Sequence, residues 1–241
     1  MPASRNTMLR IFRTAFATSG LLLCLCARLP AAGALDDLLA WLRLPSAELP
    51  APPAPKLSYY NTDYSYVDPQ GLIPPRPLAA ALNYYRANLG DLGNTRYLSV
   101  IDYTRHANEK RFFVADMKTG QVEAFLVAHG RGSDPLHTGY AGLFSNDQGS
   151  HATSLGLFLT GKTYTGENGY SLVLYGLSDS NSNAFARFIV VHGAPYVSPA
   201  NVPLGRSWGC PAVEMGVRTR LINQLKGGSL IYAWHEHAPA Y

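Results

Sequence analysis

The apolar positions of the chain change rhythm as it proceeds. Residues 15–27 form an uncharged, largely apolar stretch behind a head carrying Arg5, Arg10 and Arg13, and the small triplet Ala32-Gly33-Ala34 follows. Residues 35–44 (LDDLLAWLRL) have the spacing of a short amphipathic helix, and the Pro- and Ala-rich stretch 45–55 reads as an extended, semi-rigid linker. Residues 59–71, rich in Tyr, Asp and Asn, show no period. At 77–89, Leu78, Ala81, Leu82 and Tyr85 share one helical face between Pro77 and the stop at Gly90.

From Tyr97 onward the rhythm is that of strands. Runs at 97–103, 111–117 and 122–128 predict a meander with a tight turn at Lys118-Thr119-Gly120, and further strands are predicted at 155–160, 170–175, 184–191 and 229–234. Residues 130–154 are polar and Gly-rich without a period. After Pro211, Val213, Val217, Leu221 and Leu225 recur every four residues until Gly227-Gly228, which predicts a helix beginning at Pro211. The whole predicts a mainly β (α+β) domain at 97–241, a mixed sheet or sandwich with flanking helices. Ahead of it come a leader at 1–34, a short helix and linker at 35–56, and an irregular segment with a helix packed on the domain at 57–96.

The basic head, apolar stretch and small-residue triplet have the order of a secretory signal. Arg28 cuts the apolar stretch below the roughly 20 residues that a spanning helix needs, so export with cleavage is favoured over a retained anchor, and contact with a membrane is expected only if the leader stays. Leader removal takes four of the 20 Lys and Arg and none of the 16 acidic residues, which leaves 16 of each sign. The formal charge of the mature chain is then zero. Nothing in it suggests a basic face for nucleic acid, and no phosphate-binding glycine signature suggests a nucleotide.

Of three cysteines, Cys24 and Cys26 lie in the leader, so the mature chain keeps Cys210 and no intramolecular disulfide is open to it. A single thiol in an oxidising compartment is a liability unless buried, paired with another chain or used. Cys210 lies in Ser207-Trp208-Gly209-Cys210-Pro211, a turn-like setting that favours use. An apolar run ending in His192-Gly193 precedes it across a 13-residue loop with three prolines, longer and stiffer than an ordinary link. His192 is the candidate base for a Cys210 nucleophile. A helix starting at Pro211 would place the thiol at an N-cap, where the helix dipole favours the thiolate, and the Gly209 and Cys210 amides would face an oxyanion. Acyl transfer through a thioester is the chemistry such a set permits.

Two histidine sets carry plainer accounts. His235 and His237 alternate as a metal-chelating pair would, but surface histidines near a terminus explain them more simply. His129, at a strand end before Gly130, is read as structural in preference to a place near the site.

The histidine followed by Ser-Trp-Gly-Cys resembles the signature of the murein L,D-transpeptidases with a YkuD-type catalytic domain. The resemblance is closest to the YkuD-2 subgroup and covers about 78–232, including YLSVIDY, FLVAHGRGS, SLGLFLTGKTYTGENGYSL, VVHGAPYVS and GRSWGCP. It implies Cys210 as the acylated nucleophile, His192 as general base, the Gly193 carbonyl as the group that orients the imidazole, Ser207 as a loop support, and the 208–210 amides, Gly209 included, as an oxyanion hole. It further implies peptidoglycan stem peptides as donor and acceptor, a periplasmic location, acylation by carbapenems, and neither cofactor nor metal. Trp208 stands where many members have histidine, and Pro211-Ala212 replace polar or basic residues, so both bear on substrate. Trp208, Arg206, Tyr170, Tyr175, Tyr196 and Ser154 are the candidate substrate contacts, although packing or exposure accounts equally well for Tyr170, Tyr175 and Arg206. The product is left open between 3-3 or 1-3 crosslinks and exchange of a terminal D-amino acid. Hydrolysis, as an L,D-carboxypeptidase or crosslink-cleaving amidase, and a non-catalytic wall-binding module are the alternatives.

Overall fold

A computed structural model describes residues 63–238, so the expected leader, the helix at 35–44 and the linker lie outside the described residues. Nine strands form one mixed sheet: β1 (Tyr97–Asp102), β2 (Phe112–Asp116), β3 (Val122–Phe125), β4 (Val127–Ala128), β5 (Gly156–Gly166), β6 (Gly169–Gly176), β7 (Val190–Ala194), β8 (Ala212–Glu214) and β9 (Leu230–Trp234). Among the described residues two α-helices flank it, α1 (Pro75–Ala87) and α2 (Arg218–Leu225). The architecture is the mainly β one that the strand pattern predicts.

The order in the sheet is β3-β2-β1-β9-β5-β6-β7-β8-β4, with β1–β9 and β7–β8 parallel and the other pairs antiparallel. The two edge strands, β3 and β4, are separated in sequence by Leu126 alone. A chain that passes in one residue from one edge to the other requires the sheet to curl until its edges approach. The single run expected at 122–128 is therefore two strands serving opposite ends of the sheet.

The curl gives an inner and an outer face, and alternation along the strands fills both. Phe112, Val114, Ile231 and Ala233 join one buried cluster with Leu172, Leu174, Val191 and Val213. Their neighbours Phe113, Ala115, Leu230, Tyr232 and Trp234 join a second. Burial on both faces is why these strands read as near-continuous apolar runs. Helix α1 covers the second cluster through Pro77, Ala81 and Tyr85, which recur at four-residue spacing, and the Tyr85 hydroxyl donates to the Thr95 carbonyl at 2.5 Å. Helix α2 covers the first through Leu221, Ile222 and Leu225.

The C-terminal pattern differs from the sequence expectation. Residues 212–214 form β8, wedged between β7 and β4, and the helix starts only at Arg218. Val213 is buried because its strand has neighbours on both sides, and its four-residue distance to Val217 is incidental. The expected strand at 184–191 likewise starts at Val190, after turns at 184–188. Strand β9, the last in the chain, lies centrally between β1 and β5.

Candidate active site

His192 is fixed by the sheet. It lies in β7, opposite Ser171 of β6 on one side and Ala212 of β8 on the other, in the interior of the sheet and not at its edge. Its side chain is 4 % exposed, and Nδ1 lies 3.1 Å from the Gly193 carbonyl oxygen. A carbonyl only accepts, so Nδ1 carries the proton and Nε2 keeps its lone pair. Burial holds the imidazole below its ordinary pKa, assisted by the Arg218 cation and opposed by the Gly193 carbonyl. A neutral ring able to accept a proton is the result.

Cys210 is fixed by its loop. Ser207 is buried; its hydroxyl donates to the Cys210 carbonyl at 2.6 Å and accepts from the Gly209 N–H at 3.1 Å. Its backbone N–H donates to the His129 carbonyl at 2.9 Å, and its own carbonyl accepts from the Arg131 N–H at 2.8 Å. Gly209 has φ +114°, and a Cβ there would lie 2.7 Å from the Ala152 carbonyl oxygen. Only glycine suits both the angle and the approach.

With β8 in place of a helix after Pro211, Cys210 is not at an N-cap and no helix dipole acts on the thiol. Burial pushes the thiol above its ordinary value, while the Val190 N–H and the Arg187 guanidinium favour the thiolate. The thiol points to the Phe188 carbonyl oxygen at 3.6 Å, and it and the His192 ring are not hydrogen-bonded to each other. The pair rests as neutral thiol and neutral imidazole, His192 on β7 and Cys210 in the loop two residues before Ala212, the β8 partner of His192.

Arg187 is a site residue that sequence reasoning missed. It is 9 % exposed and donates to the Ser145 and Ala152 carbonyls, each at 2.7 Å, and to the Ser150 hydroxyl at 3.1 Å. It thereby ties the 145–152 loop to the neighbourhood of the thiol. Tyr103 and Tyr164, also missed, lie within electrostatic reach of Cys210: burial raises both phenols, and the sulfur adds to it. No local pattern marks these three residues, because only the fold brings residues 103, 164, 187 and 210 together.

The expected substrate contacts divide. Tyr196 is half-buried beside Cys210; burial, then the sulfur, push its phenol up to about 12. Ser154 is buried without a partner for its hydroxyl and lines a small cavity with Tyr103, Ile189, Gly209 and Pro211. Trp208 is 67 % exposed and stacks on His151, ring centres 4.6 Å apart and planes at 19°. Arg206 donates to the Asp134 carbonyl and lines a cleft with Trp208. The other two are placed elsewhere. Tyr170 packs on the first buried cluster and donates to Asn223 of α2 at 2.9 Å, and Tyr175 stacks on Phe185 and lines a separate groove with Lys162 and Gly227.

Behind the loop, His129 is 1 % exposed, with Nδ1 2.8 Å from Arg111 Nη2 and Nε2 3.4 Å from Asp134 Oδ2. Since a guanidinium only donates, Nδ1 is the acceptor. Burial, then the Arg111 cation, lower its pKa to about 3. His235 and His237 meet each other and Phe144, and among the described residues no group of three or more His, Cys, Asp or Glu is gathered for a metal.

No curated protein sequence matches the chain. Among solved structures it is similar to an L,D-transpeptidase from Mycobacterium smegmatis (14 % identity, TM-score 0.37, covering 58 % of this chain and 59 % of that one). One from Mycobacterium tuberculosis is similar at 18 % identity and TM-score 0.37, covering 58 % of each chain. The helical cell shape determining protein of Campylobacter jejuni is similar at 11 % identity and TM-score 0.35, covering 66 % of this chain and 57 % of that one. The chain thus spans about three fifths of the length of the solved proteins it matches. Residues 72–234 match the L,D-transpeptidase catalytic domain of the YkuD-2 type, a span holding the strands, Arg187, His192 and the Cys210 loop, and the chain belongs to that family.

Proposed function

We propose that this chain is an exported cysteine L,D-transpeptidase acting on peptidoglycan stem peptides. The observation that carries the reading is the pairing of two neighbouring strands: one holds an imidazole with its Nε2 lone pair free, the other is led by a thiol on a glycine-shaped loop. As a donor peptide carbonyl arrives, Nε2 of His192 accepts the Cys210 proton and the sulfur adds to the carbonyl carbon. Because the Gly209 N–H is committed to Ser207, the Trp208 and Cys210 amides are left to face the oxyanion. Collapse expels the amine, which takes the proton from His192, and leaves a thioester on Cys210. An acceptor amine then attacks the thioester, its proton passes to His192, and the thiol is restored. One amide replaces another, so the exchange needs no ATP.

The test is product analysis of a defined tetrapeptide donor with and without an added amine. The expected result is a new amide between donor and amine, formed by the wild type and absent with Cys210→Ala. Release of tripeptide alone, whatever the amine, would make the chain an L,D-carboxypeptidase. Loss of the leader from protein recovered outside the cytoplasmic membrane tests export, and a carbapenem adduct on intact protein tests whether this thiol acylates.

A further inference from the structure

Among the described residues, four that are not glycine stand in the left-handed region: Asp68, His137, His151 and Phe188. Aspartate and histidine are enriched there, and Asp68 shows why: its short carboxylate accepts from the Leu72 and Ile73 N–H groups at 2.9 and 2.8 Å. Phe188, at φ +57°, is the bulky exception, and for such a side chain the angle costs free energy. The turn ahead of β7 sets the angle. The Ile189 N–H donates to the Ala184 carbonyl at 2.9 Å and the Phe188 N–H to the Phe185 carbonyl at 3.0 Å. These are the paired bonds of a Schellman closure, in which the residue at the place of Phe188 is usually glycine and sometimes asparagine. Ala184 and Arg187 of the same turn are buried, whereas Phe188 is 56 % exposed. The turn requires no ring at this position, and glycine would meet its angle with less strain.

The same residue lies at the thiol. Cys210 Sγ is 3.6 Å from the Phe188 carbonyl oxygen, and Val190 offers its N–H to the sulfur. Arg187, next in the chain, is the cation that favours the thiolate, and His192 follows on β7. An acyl group joined to this sulfur therefore forms beside the Phe188 backbone, within reach of a side chain rooted on the adjoining Cα.

We propose that Phe188 sets donor specificity by packing its ring on the aliphatic side chain of the stem residue whose carbonyl Cys210 attacks. The proposal rests on the transpeptidase reading above. Each methylene withdrawn from water onto the ring favours the bound donor, and the flat aromatic face presents a large area for it. The contact is the same before and after the sulfur adds, so it acts on donor binding and not on proton transfer to His192. The strained angle is retained because the ring is needed where the thioester forms.

The experiment uses the full chain and two tetrapeptide donors that differ only in the attacked residue, which carries either a long unbranched alkyl side chain or a methyl group. Thioester formation on Cys210 is followed by intact mass against donor concentration for wild type, Phe188→Asn and Phe188→Tyr. Asparagine suits the left-handed angle, so Phe188→Asn removes the ring and keeps the turn. With the long side chain, Phe188→Asn is expected to raise KM about five- to twentyfold with kcat little changed, and Phe188→Tyr should recover most of the loss. With the methyl donor the wild type should start from the higher KM, and Phe188→Asn should add nothing to it. Alkylation of Cys210 by iodoacetamide, too small to need the ring, should keep its wild-type rate in Phe188→Asn. The proposal is overturned if Phe188→Asn penalises both donors alike or neither, or if alkylation slows in step with acylation, since the residue would then support the loop and not the donor. A wild type that separates the two donors by less than about twofold in KM overturns it without any variant. Absence of a thioester with either donor on the wild type would overturn the transpeptidase reading, and this proposal with it.

Discussion

The two halves of the candidate active centre are held by different means. His192 sits in the middle of a strand with partners on both sides, so its backbone is set by ladders shared with β6 and β8. Cys210 sits on a loop whose shape depends on a few contacts: the Ser207 hydroxyl, the left-handed Gly209 against Ala152, and the Arg187 guanidinium. The proposed base is placed by redundant backbone bonding and the proposed nucleophile by a few side-chain and loop contacts. Changes on the loop should therefore cost far more than changes of similar size on the strands.

Gly209→Ala is the most severe way to test that contrast. It forces a Cβ against a backbone oxygen at an angle that L residues avoid, and should cost about 2–4 kcal/mol of stability and at least about a hundredfold in thioester formation. Ser171→Ala, on the strand facing His192, should keep acylation within about threefold. Equal effects on mass-detected acylation would end the distinction.

Arg187→Gln comes next. Burial raises the thiol and Arg187 pulls it back, so the thiolate, and with it the rate of alkylation by iodoacetamide, should rise with pH through the alkaline range. Removing the cation favours the neutral thiol and should move that rise to higher pH, with a loss of about tenfold at neutral pH. An unchanged pH profile would reduce Arg187 to a loop tie.

How much of this was legible in the sequence depended on where the signal resides. Strands such as Tyr97–Asp102 and Leu230–Trp234 announce themselves because burial on both faces demands apolar runs, and the His192 and Cys210 motifs are local. The segment after Pro211 misleads because a three-residue strand is too short to show alternation, while Val213, Val217 and Leu221 mimic a helical stripe. The bonds offered by β7 and β4 override that local preference. Arg187 and Tyr164 carry no local mark, since their roles come from contacts formed only on folding.

The buried histidine behind the loop gives a smaller effect, read on stability. His129 stays neutral in the fold down to about pH 3, while an unfolded histidine takes up a proton below about 6.5. Between those values the unfolded state binds the extra proton, so stability falls as pH falls, by up to about 1.4 kcal/mol per pH unit. Urea unfolding from pH 7 to 4 should show this slope, and His129→Gln should flatten it. At the far end, Trp208→Ala should shift the unfolding free energy by about 0.5 kcal/mol or less, because the ring is largely in solvent.

The central claim is that Cys210 carries the acyl group. Intact-mass analysis of the chain mixed with a tetrapeptide donor should show a tripeptidyl adduct, located on Cys210 by fragmentation, discharged by an added amine and absent in Cys210→Ala. Formation of the amide product by the Cys210→Ala protein would contradict it.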